Sequence, residues 1–493
     1  MSEITQVYQT TQIRELELLA QQRFGISDIL LMQRAGKAAF DYLIQRWPAV
    51  TSITVLCGTG NNGGDGYVVA ELAHLHGLKV QVCQIGDAQK IKDAAQIAYE
   101  SCKTTGVTMH PFHHHAHLFS VDLIVDAIYG TGLRGEINKE AKIVIEAVNH
   151  AHVPIFAIDI PSGLDANTGS VSSVAIKATA TMTFIGMKLG LLTGHGTSYT
   201  GELICDNLQL PEEMYTLVKP PLDQIQLKQF SHYLKPRKRD AHKGDSGHVL
   251  IVGGAAGFTG APRMAAEAAL RVGAGLVTVA THPKHAAILN LTVPEIMCQG
   301  VRTPNSLRKL MDKATVVVIG PGLGQSIWAK MLLKTVLESK LPLIVDADAL
   351  NLIAAKPISH PNWILTPHPG EAGRLLDETA AEVQQDRLAA LHKLEQIYGG
   401  IIVLKGAGSL VLAPHHHPAI CYAGNPGMAT AGMGDVLSGV IASLVAQGIP
   451  LIDAAKLGVC LHASAGDLAA KNGGERGMIA TDLMIYLRKL ANP

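Results

Sequence analysis

The chain has 493 residues, 47% of them hydrophobic and 17% charged, with 49 glycines and 41 basic against 41 acidic side chains. That length exceeds one ordinary core, and the composition excludes a disordered or fibrous chain in favour of glycine-rich α/β domains. Zero formal net charge and the absence of a dominant basic block argue against a nucleic-acid surface; KPRKR (235–239) reads as a solvated edge.

In chain order, Ser27 and Asp28 read as a cap ahead of ILLMQRAGKAAFDYLI, whose apolar residues recur at helical spacing. Strands are predicted at 53–57, 80–84, 123–126 and 155–159. A second series follows at 249–252, 276–280, 316–319, 343–346, 364–366 and 401–404, with a hairpin pairing 410–412 and 420–422. Short β-branched runs alternating with helices imply mostly parallel sheets covered by helices. The stretch 211–239 lacks a strong period, which places a boundary near 220 and the second domain's first strand after Gly247. The expectation is two three-layer α/β domains, 1–220 and 221–493.

Seven scattered cysteines without a CxxC pair read as free thiols in a reducing compartment. No secretory signal and no run of about 18 apolar residues is visible, so a soluble cytoplasmic protein is expected. The clusters His113–His115 with His117, and His415–His417, carry no cysteine or acid at ligand spacing and read as exposed loops.

The first domain carries GTGNNGGDG (58–66), which contains GxGxxG. The following strand ends in Val82, Cys83 and Gln84 without an acid at its tip, so ordinary Rossmann binding of a nicotinamide cofactor has poor support. Asp65, Asp126 and Asp159 instead follow or end strands next to glycine-containing loops, where parallel strands converge on a ligand crevice. The bland alternative is that these acids cap helices. In the second domain NPGMATAGMGDVLSG (425–439) sets Gly432 and Gly434 before Asp435 at a helix start. The segment reads as a phosphate cradle with a base beside it, the alternative being a glycine-rich turn that serves only the fold. No GxxxxGK[ST] is present, which argues against a P-loop enzyme.

NNGGDG, DAIYGTGLRGE and DIPSGLDANTG, followed by GGAAGFTGA, GPGLG, TPHPGE, KGAGS and GMGD, resemble in order the bifunctional NAD(P)H-hydrate repair enzymes. The resemblance covers both halves. It implies a Rossmann-like epimerase domain and a ribokinase-like dehydratase domain that spends a phosphoryl group of ADP. It also implies that Asn61, Asn62, Gly63, Gly64, Asp65, Gly130, Thr131, Gly132, Leu133, Arg134, Gly135, Glu136 and Asp159 contact the hydrated NADH or NADPH in the first domain. Asp159 is the acid/base suggestion there, and Asn62, Asp126 and Ser162 match a potassium site. In the second domain Lys405, Gly406, Ala407, Gly408, Ser409 and Gly434 match the adenine-nucleotide lining. Ala261, Gly322, His368 and Asp435 match the hydrate site, with Asp435 as the base. His368 could equally be a packed loop residue. Lys188 in FIGMKLG departs from the commoner APKPG form, which leaves its role open. Asp346, Asp348 and Glu371 are read as holders of Mg²⁺, directly or through water, or alternatively as helix caps or solvated acids. The competing readings are a vitamin or sugar kinase fused to a ligand-binding domain, or a first half reduced to an interaction scaffold. Helix-covered α/β domains often pair, so a homo-oligomer is compatible with the sequence.

Overall fold

The computed structural model describes residues 6–112, 119–132, 135–171 and 173–492, so Leu133, Arg134 and the cluster His113–His115 with His117 lie outside the described residues. The chain forms two compact units, Met1–Leu222 and Asp223–Pro493. All seven cysteines are free, and no helix among the described residues is long and apolar enough to cross a membrane.

The first unit is built on a seven-stranded parallel sheet. Its order is Thr108–Pro111, Lys79–Gln84, Ser52–Cys57, Leu123–Ala127, Ile155–Ile158, Ala180–Phe184 and Glu202–Asp206. The order reverses between Ser52–Cys57 and Leu123–Ala127, which pair in register from Ile53↔Leu123 to Cys57↔Ala127. A crevice opens at the carboxyl ends on either side of such a reversal. The helices Asp28–Arg46, Asn61–Leu75 and Asp93–Thr104 pack one face, and Lys139–Asn149 packs the other, completing three layers. The Ser27 hydroxyl accepts from Leu30 N at 3.4 Å, so the cap read from the sequence does start the helix there.

In the second unit the parallel run is Met297–Gly300, Leu276–Thr281, His248–Val252, Val316–Ile319, Leu343–Val345, Trp363–Leu365 and Ile401–Leu404. The antiparallel strands Ser409–Leu412 and Ala419–Cys421 extend it as the expected hairpin. The helix Met433–Ala446 is buried around its whole circumference from 436 to 446, the pattern of a central helix rather than a surface one. It lies so close to Gly260–Val272 that a Cβ on Gly439 would stand 2.0 Å from the Ala265 carbonyl oxygen.

Some expectations need correction. NNGGD is not a loop: the turn is confined to the residues before Asn61, and NNGGD forms the first turns of the helix Asn61–Leu75. Asp159 and Asp346 lie just beyond their strands, Asp159 with φ +64° and Asp346 as the extended residue before the helix Ala347–Ala354. The second unit's sheet also takes in a strand earlier than Gly247: Leu222–Gln224 pairs parallel with Ala419–Cys421. Ala180–Phe184 and Glu202–Asp206 escaped notice because ATMTF and ELICD offer no β-branched aliphatic run.

Replacing Gly439 by alanine forces the two helices apart and lowers the second unit's stability by about 1–3 kcal/mol. Denaturant unfolding of the full chain measures it, and a midpoint equal to wild type contradicts the packing described.

Candidate active sites

In the first unit a cavity of about 820 Å³ opens at the carboxyl ends of the central strands. Its wall includes Asn61, Asn62, Asp65, Gly130, Thr131, Gly132, Glu136 and Asp159, so most of the family-matched positions meet in one place. Gly63 and Gly64 are buried in packing, Gly63 against the Gly58 carbonyl and Gly64 against Met32. Gly135 lines a smaller neighbouring recess of about 430 Å³.

Asp159 is held from three sides. Its Oδ1 accepts from Lys188 Nζ at 2.7 Å and Thr183 Oγ1 at 3.3 Å, and its Oδ2 accepts from Thr131 N at 3.0 Å. Lys188, whose role the sequence left open, is buried and also donates to the Phe184 carbonyl at 2.6 Å. A side chain on Gly130 would sit 2.7 Å from Asp159 Oδ2, so glycine there is what admits the carboxylate. Asp65 faces the same space; burial, followed by the charges of Asp159 and Glu17, raises its carboxyl well above the ordinary range. None of Asp65, Asp126 and Asp159 caps a helix, which removes the bland reading of the three.

Beneath the cavity, Asp126 is fully buried. Its Oδ1 accepts from Ser162 Oγ at 2.6 Å and Ile128 N at 3.2 Å, and its Oδ2 accepts from Ser162 N at 2.8 Å. No basic side chain lies within ion-pairing distance among the described residues, and burial pushes the carboxyl up to about 6. Asn62, on the cavity wall against Gly130, keeps both amide atoms buried without a hydrogen-bond partner. An orphaned amide oxygen and an uncompensated carboxylate are the donors a hard monovalent cation would satisfy, so the set fits the expected site.

In the second unit Asp346, Lys405, Glu371 and Asp435 gather at the carboxyl ends of the strands. Lys405 Nζ lies 2.8 Å from Asp346 Oδ1 and 3.6 Å from Glu371 Oε2. Burial opposes the charge on Asp346, but the Lys405 ammonium and hydrogen bonds, including 2.7 Å from Ser438 Oγ, outweigh it and hold the carboxyl below its usual range. Asp435 falls in the first turn of Met433–Ala446 and has no such partner. Burial, then the neighbouring Asp346 charge, pushes it up to about 7 despite Lys405. The helix begins at Gly432 with φ +92°, and no side chain caps it, which leaves its first amides facing outward. Gly434 abuts the pair: a Cβ there would stand 3.0 Å from Lys405 Nζ. Lys405, matched to the nucleotide lining, therefore belongs to the acid cluster. Ala261 and Gly322 adjoin each other across Phe258.

The acids read as Mg²⁺ holders are already engaged. Asp346 is paired with Lys405, Asp348 accepts from Gly324 N at 2.7 Å, and Glu371 accepts from His368 N at 2.8 Å in a capping box. Among the described residues no three His, Cys, Asp or Glu side chains converge as metal ligands, so a direct carboxylate cage is not built. His368 caps the same helix through Nδ1, which accepts from Gly370 N at 3.0 Å. His415–His417 are exposed between the hairpin strands. Sequence reading missed Arg387. Its buried guanidinium donates to the Leu404, Lys405 and Gly408 carbonyls at 3.2–3.4 Å and braces the KGAGS turn.

The family model described as NAD(P)H-hydrate dehydratase matches residues 249–489, and the one for the YjeF-related protein N-terminus matches 29–190. The bifunctional NAD(P)H-hydrate repair enzyme Nnr of Coxiella burnetii is 50% identical over 490 residues, covering 99% of this chain and 100% of that protein. The chain belongs to the family of bifunctional NAD(P)H-hydrate repair enzymes. The Escherichia coli member is 44% identical, with 99% and 94% of the two chains covered. A solved ribokinase-like superfamily protein from Enterococcus faecalis is 32% identical and aligns with a TM-score of 0.51, covering 55% of this chain and 98% of its own. The ribokinase-like fold of this family's dehydratase thus lies in the half that carries Asp435.

The raised Asp126 carboxyl binds its proton more tightly folded than unfolded. Without a cation its contribution therefore falls as pH rises from about 4 through about 6, by on the order of 3 kcal/mol. Unfolding free energies of wild type and Asp126→Asn, measured across that range in buffers free of potassium and sodium, diverge by this slope. Parallel pH curves for the two proteins contradict it.

Proposed function

We propose that the first unit interconverts the two C6 epimers of hydrated NADH and NADPH, and that the second dehydrates the S epimer with ADP, yielding AMP, phosphate and the reduced nicotinamide. The observation that carries this reading is Asp435: a carboxyl poised near neutrality, beside a lysine and the uncapped start of a buried helix.

Hydroxide leaves C6 poorly and phosphate leaves well. Asp435 takes the proton of the C6 hydroxyl as its oxygen attacks the terminal phosphorus of ADP, and the bond to AMP breaks. Helix amides and the Lys405 ammonium face the charge that develops on the phosphoryl group. The ring nitrogen's lone pair then expels phosphate, and loss of a C5 proton restores the dihydropyridine. KGAGS (405–409), braced by Arg387, would hold the adenine nucleotide. Asp346, Asp348 and Glu371, already engaged, would hold Mg²⁺ only through water, and the ion would supply positive charge against the nucleotide phosphates. In the first unit Asn62, Asp126 and Ser162 would hold potassium under the substrate loop. The free cysteines fit a reducing compartment and so a cytoplasmic location.

A mixed pool of NADH hydrate epimers with ADP and Mg²⁺ tests both activities at once. Recovery of near-UV absorbance should run well past the starting share of the S epimer. A stable phosphorylated product without that recovery moves the second unit to a kinase. Asp435→Asn should lose dehydration by roughly 100-fold or more while epimerisation persists. In wild type, kcat/KM for dehydration should rise with pH through about 7 as Asp435 loses its proton. A pH-independent rate between 6 and 8 removes Asp435 as the base. Potassium should raise the melting temperature at pH 8 more than at pH 5, because only the ionised carboxylate attracts it. The Asp126→Asn protein should show neither increment; an undiminished response there moves the cation elsewhere.

A further inference from the structure

The helix Thr10–Phe24 turns Ile13, Arg14, Glu17, Leu18 and Gln21 toward the 820 Å³ cavity, the spacing of a single helix face. No motif of the sequence drew attention to Glu17. Its carboxyl shares the cavity with Asp65, Asp159 and Lys188, and it has no hydrogen-bond or ion-pair partner among the described residues. Asp159, by contrast, has its oxygens engaged by Lys188, Thr183 and Thr131.

One route to inverting C6 of the hydrate breaks its C–O bond and re-forms it on the other face. A proton must reach the departing oxygen, and another must leave the incoming water. A single carboxylate anchored by three donors is poorly suited to both tasks. We propose that Glu17 is the second proton-carrying group of the epimerase, delivering a proton to the departing C6 hydroxyl while Asp159 receives one from the water that adds opposite. This rests on the epimerase reading of the cavity.

The step balances. Glu17 gives up its proton, the C6–O bond breaks, water leaves, and the ring nitrogen's lone pair forms the N1=C6 iminium. A water then adds to the opposite face and its proton passes to Asp159; exchange with solvent, or the reverse reaction, restores both carboxyls. Lys188 beside Asp159 steadies it as the anion between turnovers. Charges around Glu17 agree with the role. Burial, joined by the Asp159 and Asp28 carboxylates and opposed by Lys188 and Arg14, lifts it to about 7, and Asp65 faces it from the neighbouring helix. A group that is half protonated near neutrality can both give and retake a proton.

The test uses the full chain and the isolated R epimer of NADH hydrate, with the two epimers separated chromatographically over time. Glu17→Gln should lower kcat for epimerisation by roughly 100-fold with KM changed less than about 3-fold, and should erase the limb of the pH profile near 7. Glu17→Asp should recover at least about 10-fold over Glu17→Gln, since a shorter carboxyl still carries a proton. Potassium-dependent melting shows that the variant's first unit is folded. Glu17→Gln retaining wild-type kcat and its pH limb, or losing activity through KM alone, overturns the proposal. If Glu17→Gln does not fold, Glu17→Asp decides: a lowered kcat with a displaced limb supports the role, and an unchanged profile overturns it. Wild type that leaves the R epimer untouched, while dehydrating the S epimer with ADP, overturns the epimerase reading and this proposal together.

Discussion

The charge of a carboxylate set at the end of a parallel strand, with little access to water, calls for compensation, and in each half of the chain a lysine supplies it to one such acid. Asp159 is tied to Lys188 at 2.7 Å and Asp346 to Lys405 at 2.8 Å. Desolvating each ion costs several kcal/mol, and removing one partner of such a pair typically destabilises by about 3–5 kcal/mol. The glycines beside the pairs follow from the same constraint. Any side chain at Gly130 would enter the Asp159 carboxylate, and one at Gly434 would press on the Lys405 ammonium. The motif glycines are thus steric conditions for a buried charge pair as much as surfaces for a ligand.

A lysine spent on one acid cannot fully compensate its neighbours. Asp435 lies near Lys405 but also near Asp346, Asp348 and Glu371, and burial with these charges leaves it about 7. Glu17 stands in the same relation to Lys188 and Asp159. In each unit a firmly paired carboxylate therefore accompanies one whose proton is loosely decided at neutral pH, which is the division of labour acid–base chemistry requires. Asp126 is the third case: no lysine reaches it among the described residues, and with the orphaned Asn62 amide in the same unit a cation is the natural compensation.

The strands of the central sheets were legible because their β-branched runs are continuous, and Ser27 and Asp435 because helix starts carry local chemistry. Polar or mixed strands such as Glu202–Asp206 were not, since tertiary pairing rather than local pattern makes them strands. The glycine motifs marked most of the first cavity, yet their division into lining and packing, with Gly63 and Gly64 below the surface, is set by helix–strand approach distances that spacing does not encode. Glu17, Lys188 and Arg387 act across 17 to 142 positions of sequence, and each sits in an ordinary helix or strand-end context. For Arg387 the only local sign is an arginine opening a helix, which by itself reads as solvated.

The two sites also differ in what they lack in common. The first cavity concentrates proton carriers, and interchanging two epimers of one hydrate needs only a proton delivered and a proton removed as water leaves and returns. The second adds an uncapped helix start, whose outward-facing amides recognise phosphoryl charge. Removal of water from the hydrate needs a better leaving group than hydroxide, and cleavage of a phosphoanhydride supplies both that group and a direction. Under this reading the carboxylate–lysine pair is the shared foundation, and the exposed helix amides receive the phosphoryl donor whose cleavage drives the repair in one direction.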